Sequence, residues 1–151
     1  MRRNDSLVQI ERSIGRIGVV GSSVRAVRWR AARAGVEVSA PGMGILGVLQ
    51  REGPQRVSLL ARKAGMVGPQ ASRELRALEA AGYVERTTDG IDRRSVVVSI
   101  DPKGTAAYLR LRDAAVAAAG TALAGWSSEE LAKLARLLGR MADDFAAVAH
   151  E

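Results

Sequence analysis

The side chains with the most chemistry to offer in this 151-residue chain are arginines. Arg73 and Arg76 lie three apart in PQASRELRALEAAG, and Arg93 and Arg94 follow Asp92 in TTDGIDRRSVVVSI. A guanidinium keeps its charge and presents a planar fork of N–H donors, which matches phosphate oxygens and the O6/N7 edge of guanine. Arg73 and Arg76, flanked by Gln70 and Ser72 and preceded by Pro69, share one side of a helix at about 100° per residue. Arg93 and Arg94 sit at a glycine-containing turn between two β-branched runs. They are either a solvated charged tip or a pair exposed because its partner lies outside the protein.

Catalytic chemistry lacks material. The chain has no cysteine, hence no disulfide framework, thiolate nucleophile or thiol redox switch. His150 is the one imidazole, which leaves no His-based catalysis or zinc set. Ser22 and Ser23 have no base or oxyanion donor near them in the pattern, so no acid, base, nucleophile or metal-ligand constellation can be assembled. The chain is read as a non-enzyme without metal or cofactor. Arg and Glu interrupt every apolar run, and Glu11, Arg12 and Arg16 break any secretory core behind MRRND, so a cytoplasmic location and no membrane partner are expected.

The formal net charge is +7, which favours a polyanionic partner. It is unevenly spread. Residues 1–35 carry eight Arg against Asp5 and Glu11, residues 53–100 carry eight Lys or Arg against five acids, and residues 101–151 carry six against seven.

These arginines need elements to position them. Residues 6–34 predict one helix in which Leu7, Ile10, Ile14, Ile17, Gly21 and Val24 form a narrow apolar stripe. Gly15, Gly18 and Gly21 weaken it by roughly 1 kcal/mol each relative to Ala, so the helix either packs on a partner or frays. A short helix is expected from Met43 to Arg51. Ser58 is then expected to N-cap a helix with Val57, Leu60, Ala61 and Ala64 inward and Gly65 as its left-handed terminator. Gly68 and Pro69 open a second helix, with Ala71, Leu75 and Leu78 inward, and Gly82 closes it. This is a helix-turn-helix. Two strands follow, Tyr83–Thr88 and Ser95–Ile100, with Val96, Val98 and Ile100 on one face. Asp101 and Pro102 start a helix to about Leu123. Ser127 and Glu130 form a capping box for a last helix. Leu131, Leu134, Leu138, Met141, Phe145 and Val148 line that helix, and Trp126 before it reads as a structural plug.

Helix-turn-helix followed by hairpin is a winged helix. A helix fits the DNA major groove, and the hairpin tip beside it can reach the backbone or the narrow, strongly negative minor groove. From about Ser39 to Glu130 the chain resembles the MarR (multiple antibiotic resistance regulator) family of winged-helix transcription factors. The matching residues are VSLLARKAG, SRELRALEAAGYVERTTDGIDRRSVVVSIDPKG and LAGWSSEELAKLARLLGRM. The family wing motif, Asp-x-Arg-x-x-x-hydrophobic, falls on Asp92, Arg94 and Val98. The resemblance implies that Arg94 enters the minor groove while Asp92 holds the tip.

It further implies a mainly α (α+β) fold with a two-stranded wing, and a homodimer built from the first and last two helices. Residues 1–38 would be the N-terminal dimerisation helix, 39–100 the DNA-binding domain and 101–151 the C-terminal dimerisation helices. Leu7, Ile10, Ile14, Ile17, Leu131, Leu134, Leu138, Met141 and Phe145 are the seam candidates. The DNA-binding candidates are Ser58, Pro69, Gln70, Ser72, Arg73, Arg76, Asp92, Arg93 and Arg94. A small-molecule effector, commonly an aromatic or phenolic anion in this family, would have Arg28, Trp29 and Met43 as pocket candidates.

This sequence departs from the family pattern at Gly68-Pro69, where polar residues are usual, and at Gly42, Gly44 and Gly47, where a large side chain is usual. RAVRWRAAR, from Arg25 to Arg33, could touch phosphates, hold an anion beside Trp29 or be a solvated face. The expected function is a sequence-specific transcriptional regulator, a repressor in most of the family, acting as a homodimer on a pseudo-palindromic operator in double-stranded DNA. The rivals are an architectural DNA binder and a winged-helix protein–protein module.

Overall fold

The structure, a computed structural model, describes residues 3–90 and 95–148. The helices are α1 (Arg3–Ser22), α2 (Val24–Ala34), α3 (Ala40–Glu52), α4 (Val57–Lys63), α5 (Gly68–Ala80), α6 (Pro102–Ala122) and α7 (Ser128–Val148). The strands are β1 (Gln55–Arg56), β2 (Val84–Thr88) and β3 (Val96–Ile100). Residues 1–115 and 116–151 pack as two compact units, so the boundary falls inside α6.

The single N-terminal helix expected over residues 6–34 is two. Ser23 takes an extended ψ of 143° and its Oγ accepts from the Ala26 amide, starting a new helix. The break also leaves α1 carbonyls without intrahelical donors, and Arg30 Nη2 donates to Gly21 O at 2.6 Å. A hydroxyl cap and one guanidinium together outweigh the continuous apolar stripe. Gly35, at φ 62°, ends α2 in the left-handed conformation.

α3 begins three residues earlier than expected. Ser39 accepts from Gly42 N at 2.9 Å and Pro41 sits in the first turn, where its missing N–H costs nothing. Ser58 is not the cap of α4: that position is Arg56, with no side-chain cap bond, and Ser58 lies exposed within the first turn. The reason is the strand that sequence reading missed. Gln55 and Arg56 pair antiparallel with Val98 and Val97, which fixes the chain in extended form up to the helix start. The sheet therefore has three strands in the order β1-β3-β2, not two.

One apolar cluster joins α3, α4, α5 and the sheet through Ile45, Leu46, Leu49, Leu60, Leu75, Leu78, Val84 and Val98. Each such side chain contributes about 1.5–3 kcal/mol of burial. A second cluster gathers Ala34, Val36, Ala107, Leu111 and Ala114, linking the end of α2 to the first half of α6. α6 is set close to the sheet: Asp101 N donates to Tyr83 O at 3.0 Å, and a Cβ on Gly104 would lie 2.0 Å from that same oxygen. Only glycine fits there. Asp101 Oδ1 accepts from Lys103 N, as the expected cap requires.

The expected β3 face is only partly buried. Val98 is sealed and Ile100 half-buried, but Val96 has run past the core and is exposed. In residues 116–151 the capping box forms as expected: Glu130 Oε2 accepts from Ser127 N at 2.8 Å and Glu130 N donates to Ser127 Oγ. The Ser127 backbone N–H, then its hydroxyl, hold the Glu130 carboxyl below its ordinary value of 4.5. Trp126 is 45 % exposed, and α7 buries no residue. Among the described residues no helix is long and apolar enough to cross a membrane.

Candidate nucleic-acid interface

α5 is the helix that presents side chains. Pro69 in its first turn and Gly82 after its end, at φ 71°, set its limits. Ala71, Leu75 and Leu78 are buried, which drives one face into the core and turns the other outward. On the outward side Pro69, Ser72, Arg73 and Arg76 are exposed, and Gln70 is half-buried. Arg76 Nε donates to Ser72 O at 3.3 Å, so that side chain lies back along its own helix. Arg73 makes no hydrogen bond or ion pair among the described residues.

The hairpin stands beside this face. β2 and β3 pair from Val84↔Ile100 to Thr88↔Val96, and Asp89 N donates to Ser95 O at 2.8 Å at the hairpin root. Asp92, Arg93 and Arg94, the wing-tip candidates, lie outside the described residues. The root itself is braced from across the fold: Arg56 Nη2 approaches Asp89 Oδ2 at 2.7 Å and Arg56 Nε donates to the same oxygen at 2.9 Å.

Arg56 and Arg86 were not singled out from the sequence, yet both border the groove between α4, α5 and the sheet. That groove, about 580 Å³, is lined by Arg56, Ser58, Gly68, Ser72, Arg86 and Ser95 among others. It is a concave, basic and hydroxyl-bearing surface of the kind that accepts phosphate oxygens. Arg86 lies 3.1 Å from Glu79 Oε2 through Nε, an ion pair without hydrogen-bond geometry, and its Nε and Nη2 are shielded from solvent. The Arg56–Asp89 separation of 33 residues left no local signal, because the strand that places Arg56 is two residues long. Lys63 is engaged by Glu52 and by Gln55 Oε1, which ties the end of α4 to the end of α3 and the start of β1.

The effector-pocket candidates are not brought together. Arg28 lines a cleft of about 720 Å³ with Val27, Ala31, Val36 and Ser39, while Met43 lines a second one of about 290 Å³ with Ile17, Val27 and Leu111. Trp29 lines neither; it is 46 % exposed and the Arg33 guanidinium stands 5.7 Å from its ring centre. The sequence pattern placed Trp29 beside Arg28, but neighbours in a helix diverge by about 100° and face different surroundings.

The seam candidates lie bare in the single chain. Leu7, Ile10, Ile14 and Ile17 are exposed on α1, as are Leu131, Leu138 and Phe145 on α7, with Leu134 and Met141 half-buried. Among the described residues no group of three or more His, Cys, Asp or Glu could hold a metal ion.

The MarR family model matches residues 38–95 of the chain. Among solved structures, a MarR family protein from Bacillus stearothermophilus superimposes with a TM-score of 0.79 at 17% identity, over 97% of this chain and 99% of that one. The transcriptional regulator BldR from Sulfolobus solfataricus has a TM-score of 0.68 at 28% identity, over 93% and 99%. A MarR family transcription regulator designated SP03579 has a TM-score of 0.74 at 25% identity, over 98% and 95%. No curated protein matches the sequence. The stretch from Val38 to Ser95, which holds the helix-turn-helix and the first strand of the hairpin, is thus similar in sequence to the MarR family, and the chain shares the fold of MarR family structures along nearly its whole length.

Proposed function

We propose that the chain works as a homodimer that binds a pseudo-palindromic operator sequence-specifically, represses transcription from it, and is released by a small anionic or aromatic ligand. The observation that carries this reading is Arg73. It is exposed and unengaged among the described residues, on a helix whose opposite face is anchored by Ala71, Leu75 and Leu78. A guanidinium held out on a rigid element is placed to read guanine, with Gln70 and Ser72 beside it for base readout, while Ser58, Pro69 and Arg76 position the helix on the sugar-phosphate backbone. Arg94, steadied by Asp92 and accompanied by Arg93, reads minor-groove width. Arg94→Ala then lowers affinity, erases a preference for A·T-rich flanks and reduces the salt slope by about one phosphate-equivalent per wing.

Residues 1–38 and 101–151 supply the association surfaces around the 39–100 DNA-binding domain. Support for this comes from the apolar residues that α1 and α7 leave uncovered. The clefts beside Arg28 and Met43 offer space for the effector. Selection of bound duplexes from a random DNA pool tests the reading. An enriched inverted repeat, with half-sites about one helical turn apart, supports it. Equal affinity for selected and scrambled duplexes at fixed salt would instead make the protein an architectural binder.

A further inference from the structure

Ser39 occupies an unusual junction. Its Oγ accepts from Gly42 N to cap α3, and its hydroxyl donates to Glu74 Oε2 at 2.5 Å. Glu74 belongs to α5, between Arg73 and Leu75. The junction is close-packed: a Cβ at Gly42 would lie 3.0 Å from Ser39 Oγ, 3.0 Å from Val38 Cγ1 and 3.5 Å from Glu74 Oε2. Ser39 also lines both clefts beside α2. One hydroxyl therefore joins the start of α3 to α5.

We infer that Glu74, held by the Ser39 hydroxyl, is a positioning residue for DNA readout. The inference rests on the DNA-binding reading of α5. Leu75 and Leu78 fix the depth of that helix in the core, but apolar packing is non-directional and leaves small rotations about its axis weakly determined. A short carboxylate bond to a capped helix start is directional and opposes such rotation. A rotation of α5 moves Arg73 relative to a base edge, while phosphate contacts, being longer-ranged, adapt.

The test uses the full chain, a duplex selected by the wild-type protein from random DNA, and a scrambled duplex of the same composition. Ser39→Asp keeps a strong N-cap for α3 but sets a carboxylate against Glu74. It is expected to lower the ratio of selected to scrambled affinity about tenfold, the size of one lost charge-assisted hydrogen bond. Adding Glu74→Gln, whose amide can donate to that carboxylate, is expected to restore most of the ratio. Glu74→Ala alone, which leaves the α3 cap untouched, is expected to lower it as Ser39→Asp does. A ratio within about twofold of wild type in both single variants overturns the inference, as does a double variant no better than Ser39→Asp. A uniform loss on both duplexes, or a loss explained by a fallen thermal midpoint, also overturns it. A wild-type chain that enriches no sequence instead refutes the operator reading itself, which the selection step shows before any variant is made.

Discussion

α5 and α7 are both amphipathic helices with leucines at three-four spacing, and the folded chain treats them in opposite ways. α5 buries Ala71, Leu75 and Leu78 to 4 % exposure or less, whereas α7 buries none of its residues and leaves Phe145 60 % exposed. The difference is not in the pattern but in what covers it. Residues 40–100 supply α3, α4 and the sheet as a cover for α5, while the stripe of α7 stays uncovered in the single chain. An apolar stripe states that a helix must be covered; it does not state by which chain.

The sharpest way to break this contrast is Leu134→Asp with Leu138→Asp. Two charges on the α7 stripe are expected to abolish association and operator binding altogether, measured by light scattering and DNA titration. A well-folded wild-type monomer at micromolar concentration would remove the contrast. Leu75→Ala should instead cost about 2–5 kcal/mol of stability by leaving a cavity in the core, without changing the assembly state of the molecules that remain folded. Denaturant titration checks it. Arg73→Ala is expected to leave stability unchanged and cost about 1–3 kcal/mol of operator affinity, with relaxed preference at one position per half-site. An equal loss on every sequence would reassign Arg73 to phosphate. Arg56→Ala, which removes the Arg56–Asp89 brace, should lower stability by no more than about 1 kcal/mol because Arg56 is half exposed. Its effect on DNA binding should exceed that through a loosened wing root.

The smallest effect concerns pH. The Ser127 backbone and hydroxyl depress the Glu130 carboxyl, so the capping box contributes stability above the ordinary glutamate value of 4.5. That contribution is lost as pH falls through the lower folded-state value. Glu130→Gln should therefore be slightly less stable than wild type near neutrality and converge with it in acid, as followed by thermal melts across that range.

Much of this molecule was legible along the chain because the signals are local. The left-handed glycines at 65 and 82, Pro69 in the first turn of α5, the Asp101 cap and the Ser127–Glu130 box each act within a few residues, and all appear as expected. The inner and outer faces of α5 followed from helical periodicity alone. The errors share a different character. Ser23 breaks what periodicity joined, because the competing cap is completed by Arg30 reaching back nine residues. Ser58 lost its capping role to a two-residue strand with no room for a readable alternation. Trp29 parted from Arg28 and Met43 because cavities form between elements, not along one.

By itself, then, the sequence determined the winged-helix plan, the basic outward face of α5 and the apolar stripes of α1 and α7, since these depend on backbone preferences and helical spacing. Only the tertiary structure decided that Arg56 braces Asp89, that Arg86 borders the groove between α4, α5 and the sheet, that only glycine fits at 104 against the Tyr83 carbonyl, and that Ser39 holds Glu74. The three pairwise contacts among these join residues 21 (Tyr83 and Gly104), 33 (Arg56 and Asp89) and 35 (Ser39 and Glu74) positions apart, and chain proximity carries no information about pairs that meet only when separate elements pack.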